Sequence, residues 1–330
     1  MKYKSILVTQ HGGPETVQII ENELRSPAPG EVCIRILASP VCQDDVAVRV
    51  GNRPFLPKLP FVPGYSIIGE VTAIGEGVRN VAVNDRVAAL TTFGGHAETI
   101  YLKEEQLMPV PAGLDPVEAV VLILNYLVAY QVLHRVARVK ERNKALLIGA
   151  SGGVGTAFLQ LGKVVDLKMY GLASPSKHKI LAEYGTTPID YHTQDFVQVL
   201  NQAEPEGLDY VFNGMGEEYL GRGRSVLRRG GMLVHYGAPQ SLLNFGSFLA
   251  RFVFYSLLSN GKKMEGYGTH RLGVELFKED WAVLFKLLEE GQIKPIITAK
   301  FPILKAEQGY RLLESGQVAG NIVLLSPDLM

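Results

Sequence analysis

Ala145-Leu146-Leu147-Ile148-Gly149-Ala150-Ser151-Gly152-Gly153-Val154-Gly155, followed by Thr156-Ala157-Phe158-Leu159-Gln160-Leu161, is the stretch whose reading decides the fold. An apolar run enters a cluster of glycines and leaves in a helical pattern, so the segment reads as strand, tight turn and helix. Glycine permits the sharp turn and lets the backbone approach a ligand closely. The first N–H groups of the helix have no partner within it and face an anion favourably. The pattern predicts that Ser151, Gly152, Gly153, Val154 and Gly155 cradle the pyrophosphate of a dinucleotide. A strand-to-helix turn whose glycines serve only packing is the alternative.

Working outward, Lys168-Met169-Tyr170-Gly171-Leu172-Ala173 reads as the next strand. At its end a protein that prefers NAD commonly places Asp or Glu to bond the ribose hydroxyls. Here Ser174-Pro175-Ser176-Lys177 follows, a hydroxyl and a cation in place of a carboxylate that repels a 2′-phosphate. That substitution favours NADPH. Tyr191 ends a further short strand, Ile189-Asp190-Tyr191, and is placed to close the same pocket. Taken singly, Lys177 reads equally as a solvated lysine and Tyr191 as a half-buried aromatic.

The 330 residues exceed what one core usually serves, so two domains are expected. Residues 1–120 carry short β-branched runs broken by Gly and Pro, including Val32–Leu37, Ile67–Ile74 and Arg86–Leu90, and read as a β-rich domain. A long apolar helix over Val117–His134 opens a strand and helix alternation running to about residue 235, the signature of a parallel sheet, so 121–267 reads as the nucleotide domain. After Gly268 an amphipathic helix, Val274–Glu290, ends at Gly291, and a last strand covers Ile322–Leu325. Residues 268–330 are expected to complete the first domain.

Lys+Arg and Asp+Glu both number 33, which removes the long-range field that collects nucleic acid. The expected partner is a small molecule. Cys33 and Cys42 alone form no disulfide framework, and the N-terminus turns polar at Thr9-Gln10 before a signal-peptide core develops. A reducing, cytoplasmic setting is expected. Val117–Leu133 includes Glu118 and Asn125 and suits a buried core helix. The segment 242–259 is rich in Phe and Leu around Arg251 and reads as a subunit interface, a lid over an apolar pocket, or a peripheral membrane contact.

The Gly-Gly-Val-Gly turn, the Ser174, Lys177 and Tyr191 set, Phe93-Gly94-Gly95-His96-Ala97-Glu98, Pro63-Gly64-Tyr65-Ser66-Ile67-Ile68-Gly69-Glu70-Val71 and Gly320-Asn321-Ile322-Val323-Leu324 carry a resemblance. Across nearly the whole chain the sequence resembles the quinone oxidoreductase branch of the zinc-free medium-chain dehydrogenases/reductases. The resemblance implies an α/β protein with an irregular β-rich, GroES-like catalytic domain and a Rossmann domain of doubly wound parallel sheet. It implies NADPH in the cleft between them, a 2′-phosphate gripped by Ser174, Lys177 and Tyr191, and a homodimer. Cys42, Asn213, Tyr236, Gly237 and Asn321 are further cofactor-binding candidates on this ground. Gly149 stands where relatives often have Ala, and Asn213 where many have Asp.

Zinc enzymes of this superfamily combine an early Cys with a Gly-His-Glu segment and a four-cysteine lobe. Cys42 occupies the first position, but the second segment reads Gly64-Tyr65-Ser66 and no cysteine cluster follows, so three protein ligands cannot be assembled. Metal-free hydride delivery to a quinone or an α,β-unsaturated carbonyl is the expected chemistry, because conjugation already spreads the incoming charge. Tyr65, Arg53 and Arg271 are candidate donors to the developing oxygen. The alternatives are a space-filling role for Tyr65, surface salt bridges for the arginines, and a packed loop position for His96. A small apolar electrophile is the expected substrate, with Phe248, Phe252 and Tyr255 forming one pocket wall. An enoyl-thioester reductase and a dinucleotide-binding protein without turnover are the competing functions.

Overall fold

Short runs of β-branched residues broken by Gly and Pro govern the first part of the chain, and they fold as strands. The computed structural model describes residues 1–52, 56–237, 245–258, 260–269 and 274–330. Lys2–Val8 (β1) pairs antiparallel with Val17–Glu23 (β2). Glu31–Val41 (β3) precedes the short helix Gln43–Arg49 (α1). Ser66–Ile74 (β4), Arg86–Leu90 (β5), Thr99–Lys103 (β6) and Met108–Pro109 (β7) follow.

The apolar stretch after Asp115 is helical but irregular. Asp115 caps Pro116–Ala119 (α2) by accepting from Val117 N–H, and a tighter turn covers Val120–Leu122. Asn125–Gln131 (α3) then runs into a wider π-type turn at Val132–Ala137. Pro116–Ala137 is long and apolar enough to span a bilayer, yet its most apolar window is 89% buried in the protein, the property of a core helix.

From Lys144 strand and helix alternate: Lys144–Ile148 (β8), Gly153–Val164 (α4), Lys168–Ala173 (β9), His178–Glu183 (α5), Thr187–Asp190 (β10) and Phe196–Ala203 (α6). Leu208–Asn213 (β11), Glu218–Ser225 (α7), Leu227–His235 (β12), Phe245–Leu257 (α8) and Lys263–Gly266 (β13) complete this region. The chain then adds Val274–Glu289 (α9), Ile297–Pro302 (β14), Ala306–Glu314 (α10) and Asn321–Leu325 (β15).

These elements form two units, one of Met1–Gly51, Phe55–Leu124 and Val274–Met330, the other holding Asn125–Gly273. The first division falls a few residues beyond 120 because the Val120–Leu122 turn packs on β3, β4 and α9. In the first unit a seven-stranded sheet has the order β14-β15-β3-β4-β5-β7, with β6 also on β3. Its core gathers Ile34, Ile36, Ile67, Val87, Tyr310 and Leu324. Phe277, Trp281, Leu284, Phe285 and Leu288 are buried at helical spacing along α9, and Trp281 Nε1 donates to Ile123 O at 3.1 Å.

The second unit is an all-parallel six-stranded sheet in the order β10-β9-β8-β11-β12-β13. The chain starts in the middle at β8, runs outward to β10 and returns to β11, so the topological switch lies between β8 and β11. Ligands of such sheets bind beyond the carboxyl ends of the strands at that switch. At the opposite edge, buried Glu204 accepts from Lys144 Nζ at 2.6 Å, Lys168 Nζ at 2.6 Å and Tyr170 OH at 2.7 Å. Burial by itself raises the carboxyl's pKa, but the bonds from Lys144, Lys168 and Tyr170 prevail and hold it at about 2.

Candidate functional site

The carboxyl edge of the parallel sheet collects most of the residues singled out in the sequence. β8 ends at Ile148, and Gly149 (φ +88°) turns the chain into Ala150–Gly152 before α4 starts at Gly153. Gly152, at the helix cap, brings no side-chain acceptor to the first amides of α4, so these stay available to an anion. A Cβ on Gly155 falls 2.2 Å from Gly149 O and 2.6 Å from Ala150 O, so the turn closes only around glycine. The residues present therefore fit a pyrophosphate.

At the end of β9, Ser174 and Lys177 are both half-buried. Burial lowers the pKa of the Lys177 ammonium, the state of a cation that gains most from an incoming anion. Tyr191 follows β10, stays 46% exposed and lies against the His192 ring at 4.1 Å. The neighbouring carboxylate, Asp190, is buried and accepts from Thr193 Oγ1 at 2.6 Å and His192 N–H at 3.0 Å. Those bonds, Thr193 first, hold its pKa below the usual carboxylate range. Its oxygens are turned to its own loop.

At the end of β11, fully buried Asn213 donates from Nδ2 to Gly216 O at 3.2 Å and accepts at Oδ1 from Met215 N–H at 2.9 Å. Its amide braces a loop. Met215 lies over the glycine turn, with Cγ and Sδ 3.3 Å from the Cβ position of Gly149. After β12, the Tyr236 ring packs on Phe158 at 5.2 Å and over Gly214. Burial raises its phenol's pKa. Gly237 crosses so near Gly214 that a Cβ there falls 2.7 Å from Gly214 O. His235 is buried, its ring nitrogens meet no well-aligned hydrogen-bond partner among the described residues, and desolvation, opposed in part by the Gly237 backbone, lowers its pKa to about 4. Its ring stands 4.9 Å from that of Phe248.

In the first unit Cys42 caps α1, and its N–H and Sγ both donate to Asp45 Oδ2 at 2.9 Å. Asp45 Oδ1 accepts from Gly64 N–H at 2.9 Å, which ties the turn before Tyr65 to the start of α1. Tyr65 is half-buried just ahead of β4. Asn321 is buried and donates from Nδ2 to Ile296 O at 3.0 Å, so its amide supports backbone. His96 is a packed loop residue: its Nδ1 faces Tyr310 OH at 2.7 Å and its Nε2 faces Pro40 O at 3.1 Å. Arg53 and Arg271 lie outside the described residues. Among the described residues no group of three His, Cys, Asp or Glu side chains is arranged to hold a metal ion.

Phe248, Phe252 and Tyr255, expected as one wall of a substrate pocket, lie half-buried on α8. Their helical spacing puts all three on one face, which packs against the parallel-sheet core. The outward ridge is Leu249, Val253, Phe254 and Leu257, exposed by 50%, 46%, 59% and 76%. Residues 242–244 and 259 of the apolar segment lie outside the described residues. Met215 and His235 escaped the sequence reading. Met215 reaches the glycine turn only through the path of its loop, whereas strand alternation does place His235 on the face of Leu233.

The alcohol dehydrogenase GroES-like domain family matches residues 28–112, and the zinc-binding dehydrogenase family matches residues 185–324. The synaptic vesicle membrane protein VAT-1 homolog of Rattus norvegicus is 31% identical over 98% of this chain and 84% of its own length. Quinone oxidoreductase of Rattus norvegicus is 27% identical over 98% of this chain and 97% of its own. The crystal structure of Escherichia coli quinone oxidoreductase complexed with NADPH shares the fold, with a TM-score of 0.87 at 24% identity over 98% of this chain and 99% of that one. A GroES-like domain and a glycine-turn parallel-sheet domain in one chain, matched end to end by such relatives, place it in the medium-chain dehydrogenase/reductase family of oxidoreductases, on the quinone oxidoreductase-like branch.

Proposed function

We propose that this protein is an NADPH-dependent oxidoreductase that passes hydride to a quinone or an α,β-unsaturated carbonyl without a metal. The observation that carries the reading is the rim beside the glycine turn. There Ser174 and half-buried Lys177 stand at the end of β9, and the nearby Asp190 carboxylate is engaged by Thr193 and His192. When bound, NADPH supplies the hydride. The amides at the start of α4 hold the pyrophosphate, and Lys177 with Ser174 and Tyr191 holds the 2′-phosphate. Tyr65 is the donor candidate among the described residues for the developing oxygen.

An NADPH-consumption screen over quinones, enones and enoyl thioesters tests the activity. Turnover of quinones or enones is expected. Turnover of enoyl thioesters alone assigns the chain to acyl reduction, and saturable NADPH binding without consumption assigns it a binding role. For the cofactor, Lys177→Ala is expected to weaken NADPH binding by ~1–3 kcal/mol, the range of a charge-assisted contact, and to leave NADH nearly unchanged. Fluorescence titration with both cofactors checks this, and equal losses count against a phosphate grip at Lys177.

A second reading comes from α8. We infer that its outward ridge seats on an anionic bilayer surface. Phe245–Leu257 contains no acidic residue and its one charge is Arg251. Exposed Arg229, packed against Gly261, and exposed Lys263 stand just beyond its end. Glu217, which accepts from Ser247 Oγ at 3.1 Å, stands at the start of the helix, away from these cations; an apolar ridge with basic residues at its other end suits the interface of an anionic membrane, and the likeness to a synaptic vesicle membrane protein supports the reading. Phe254→Glu is expected to lower co-sedimentation with phosphatidylserine vesicles by about fivefold or more, with little binding to phosphatidylcholine vesicles by either protein. Absence of vesicle binding together with self-association that Phe254→Glu disrupts assigns the ridge to a second copy of the chain instead.

A further inference from the structure

The loop after β11 is the meeting point of three strand ends. Gly214 lies under the Tyr236 ring, whose OH is 2.6 Å from the Cβ position of this glycine. Gly237 crosses against Gly214 O and Met215 O, at 2.7 Å and 3.0 Å from its own Cβ position. Met215 rests on Gly149, the first residue after β8. The side chain that shapes this loop from within is Asn213, with no exposed surface, donating to Gly216 O and accepting from Met215 N–H. A single neutral amide satisfies a donor and an acceptor of the same turn, and does so at any pH.

In a doubly wound sheet the dinucleotide lies across the switch point, one half over each set of strands. The glycine turn and the ends of β9 and β10 belong to the adenosine half, and the ends of β11 and β12 to the nicotinamide half. We propose that Asn213 is a positioning residue for the nicotinamide half: its amide sets the Gly214–Gly216 loop and, through it, Tyr236, Gly237 and Met215. The proposal rests on the dinucleotide reading given above. It gives Asn213 a role through the loop, with no contact to the cofactor required.

Replacing Asn213 by Asp makes the idea testable, because a carboxylate can accept from Met215 N–H but presents a lone pair to Gly216 O. The carboxyl serves both partners only while it holds a proton. The loop of Asn213→Asp is therefore intact in acid and displaced in base. Binding is measured for NADPH, NADH and adenosine 2′,5′-bisphosphate, which carries the 2′-phosphate and lacks the nicotinamide.

For Asn213→Asp, binding of both dinucleotides is expected to weaken about tenfold at about pH 8 and to return toward the wild-type value near about pH 5.5, with the bisphosphate unaffected at either pH. Asn213→Ala, which keeps neither bond, loses dinucleotide affinity at both values. If Asn213→Asp does not fold at the higher pH, Asn213→Ser gives the same split between dinucleotides and bisphosphate, without the pH dependence. Wild-type dinucleotide affinity in Asn213→Asp across the range, or an equal loss for the bisphosphate, overturns the positioning role. A wild-type chain that binds the bisphosphate and neither dinucleotide, or none of the three, overturns the dinucleotide reading itself.

Discussion

Gly155→Ala is expected to abolish dinucleotide binding and to destabilise the parallel-sheet unit by ~2–4 kcal/mol, because the new methyl group meets backbone on the facing side. The Cβ position is 2.2 Å from Gly149 O and 2.6 Å from Ala150 C and O, and none of these atoms belongs to a side chain able to rotate away. Relief comes only from opening the turn. Opening it moves the amides at the start of α4, which hold the pyrophosphate by virtue of where they point. A suitable control is Gly246→Ala, where a Cβ meets nothing within 4 Å. That helical substitution is expected to be neutral or stabilising by up to ~1 kcal/mol. Thermal unfolding and NADPH titration of the two variants check the contrast. Retention of wild-type affinity by Gly155→Ala removes the glycine turn from the binding site.

The second large effect concerns acid stability and lies at the other edge of the same sheet. Glu204 has its carboxyl at about 2 in place of the ordinary 4.5. A lowered folded-state pKa stabilises the fold at pH values above the unfolded one, and the benefit is lost as pH falls from about 4.5 through about 2. The full depression corresponds to about 3 kcal/mol, and because Lys144 and Lys168 both reach solvent, screening reduces the expected figure to about 2 kcal/mol. Glu204→Gln is therefore expected to be less stable than wild type by that amount near neutral pH. The two proteins converge near about pH 2 as the wild-type carboxyl takes up its proton. Denaturant unfolding across this range checks the sign, and a difference that grows toward acid contradicts it. The charge left behind matters too, since the variant keeps two lysines on adjacent strands without the carboxylate between them.

Both effects concern features of different legibility. The turn at Gly149–Gly155 was readable because its physics is local: an apolar run, glycines and a helical period within a dozen or so residues leave few other conformations. The same holds for Arg86–Leu90 as a strand, for α9 with Gly291 at its end, and for Ser174 and Lys177 following a strand. Glu204 offered no such signal. It is one acid among many until β8 and β9 bring Lys144 and Lys168 to it from 60 and 36 positions away. Asn213 was visible as a departure from a family pattern, but its bonds to Met215 and Gly216 depend on the path of the loop. Phe248, Phe252 and Tyr255 were legible as residues of one helix, but helical spacing defines two faces and only the sheet decides which of them is covered.

The amino-acid sequence by itself determined the strand and helix alternation of the second unit, the glycine turn and the Ser174 and Lys177 pair after the next strand, all of them properties of neighbouring residues and their periodicity. Only the tertiary structure decided which side chains meet across the chain: His96 with Tyr310, 214 residues apart, and Arg49 with Glu314, 265 apart. Such pairs depend on strand register and sheet order, which are set by packing of the whole unit and leave no mark within a local window.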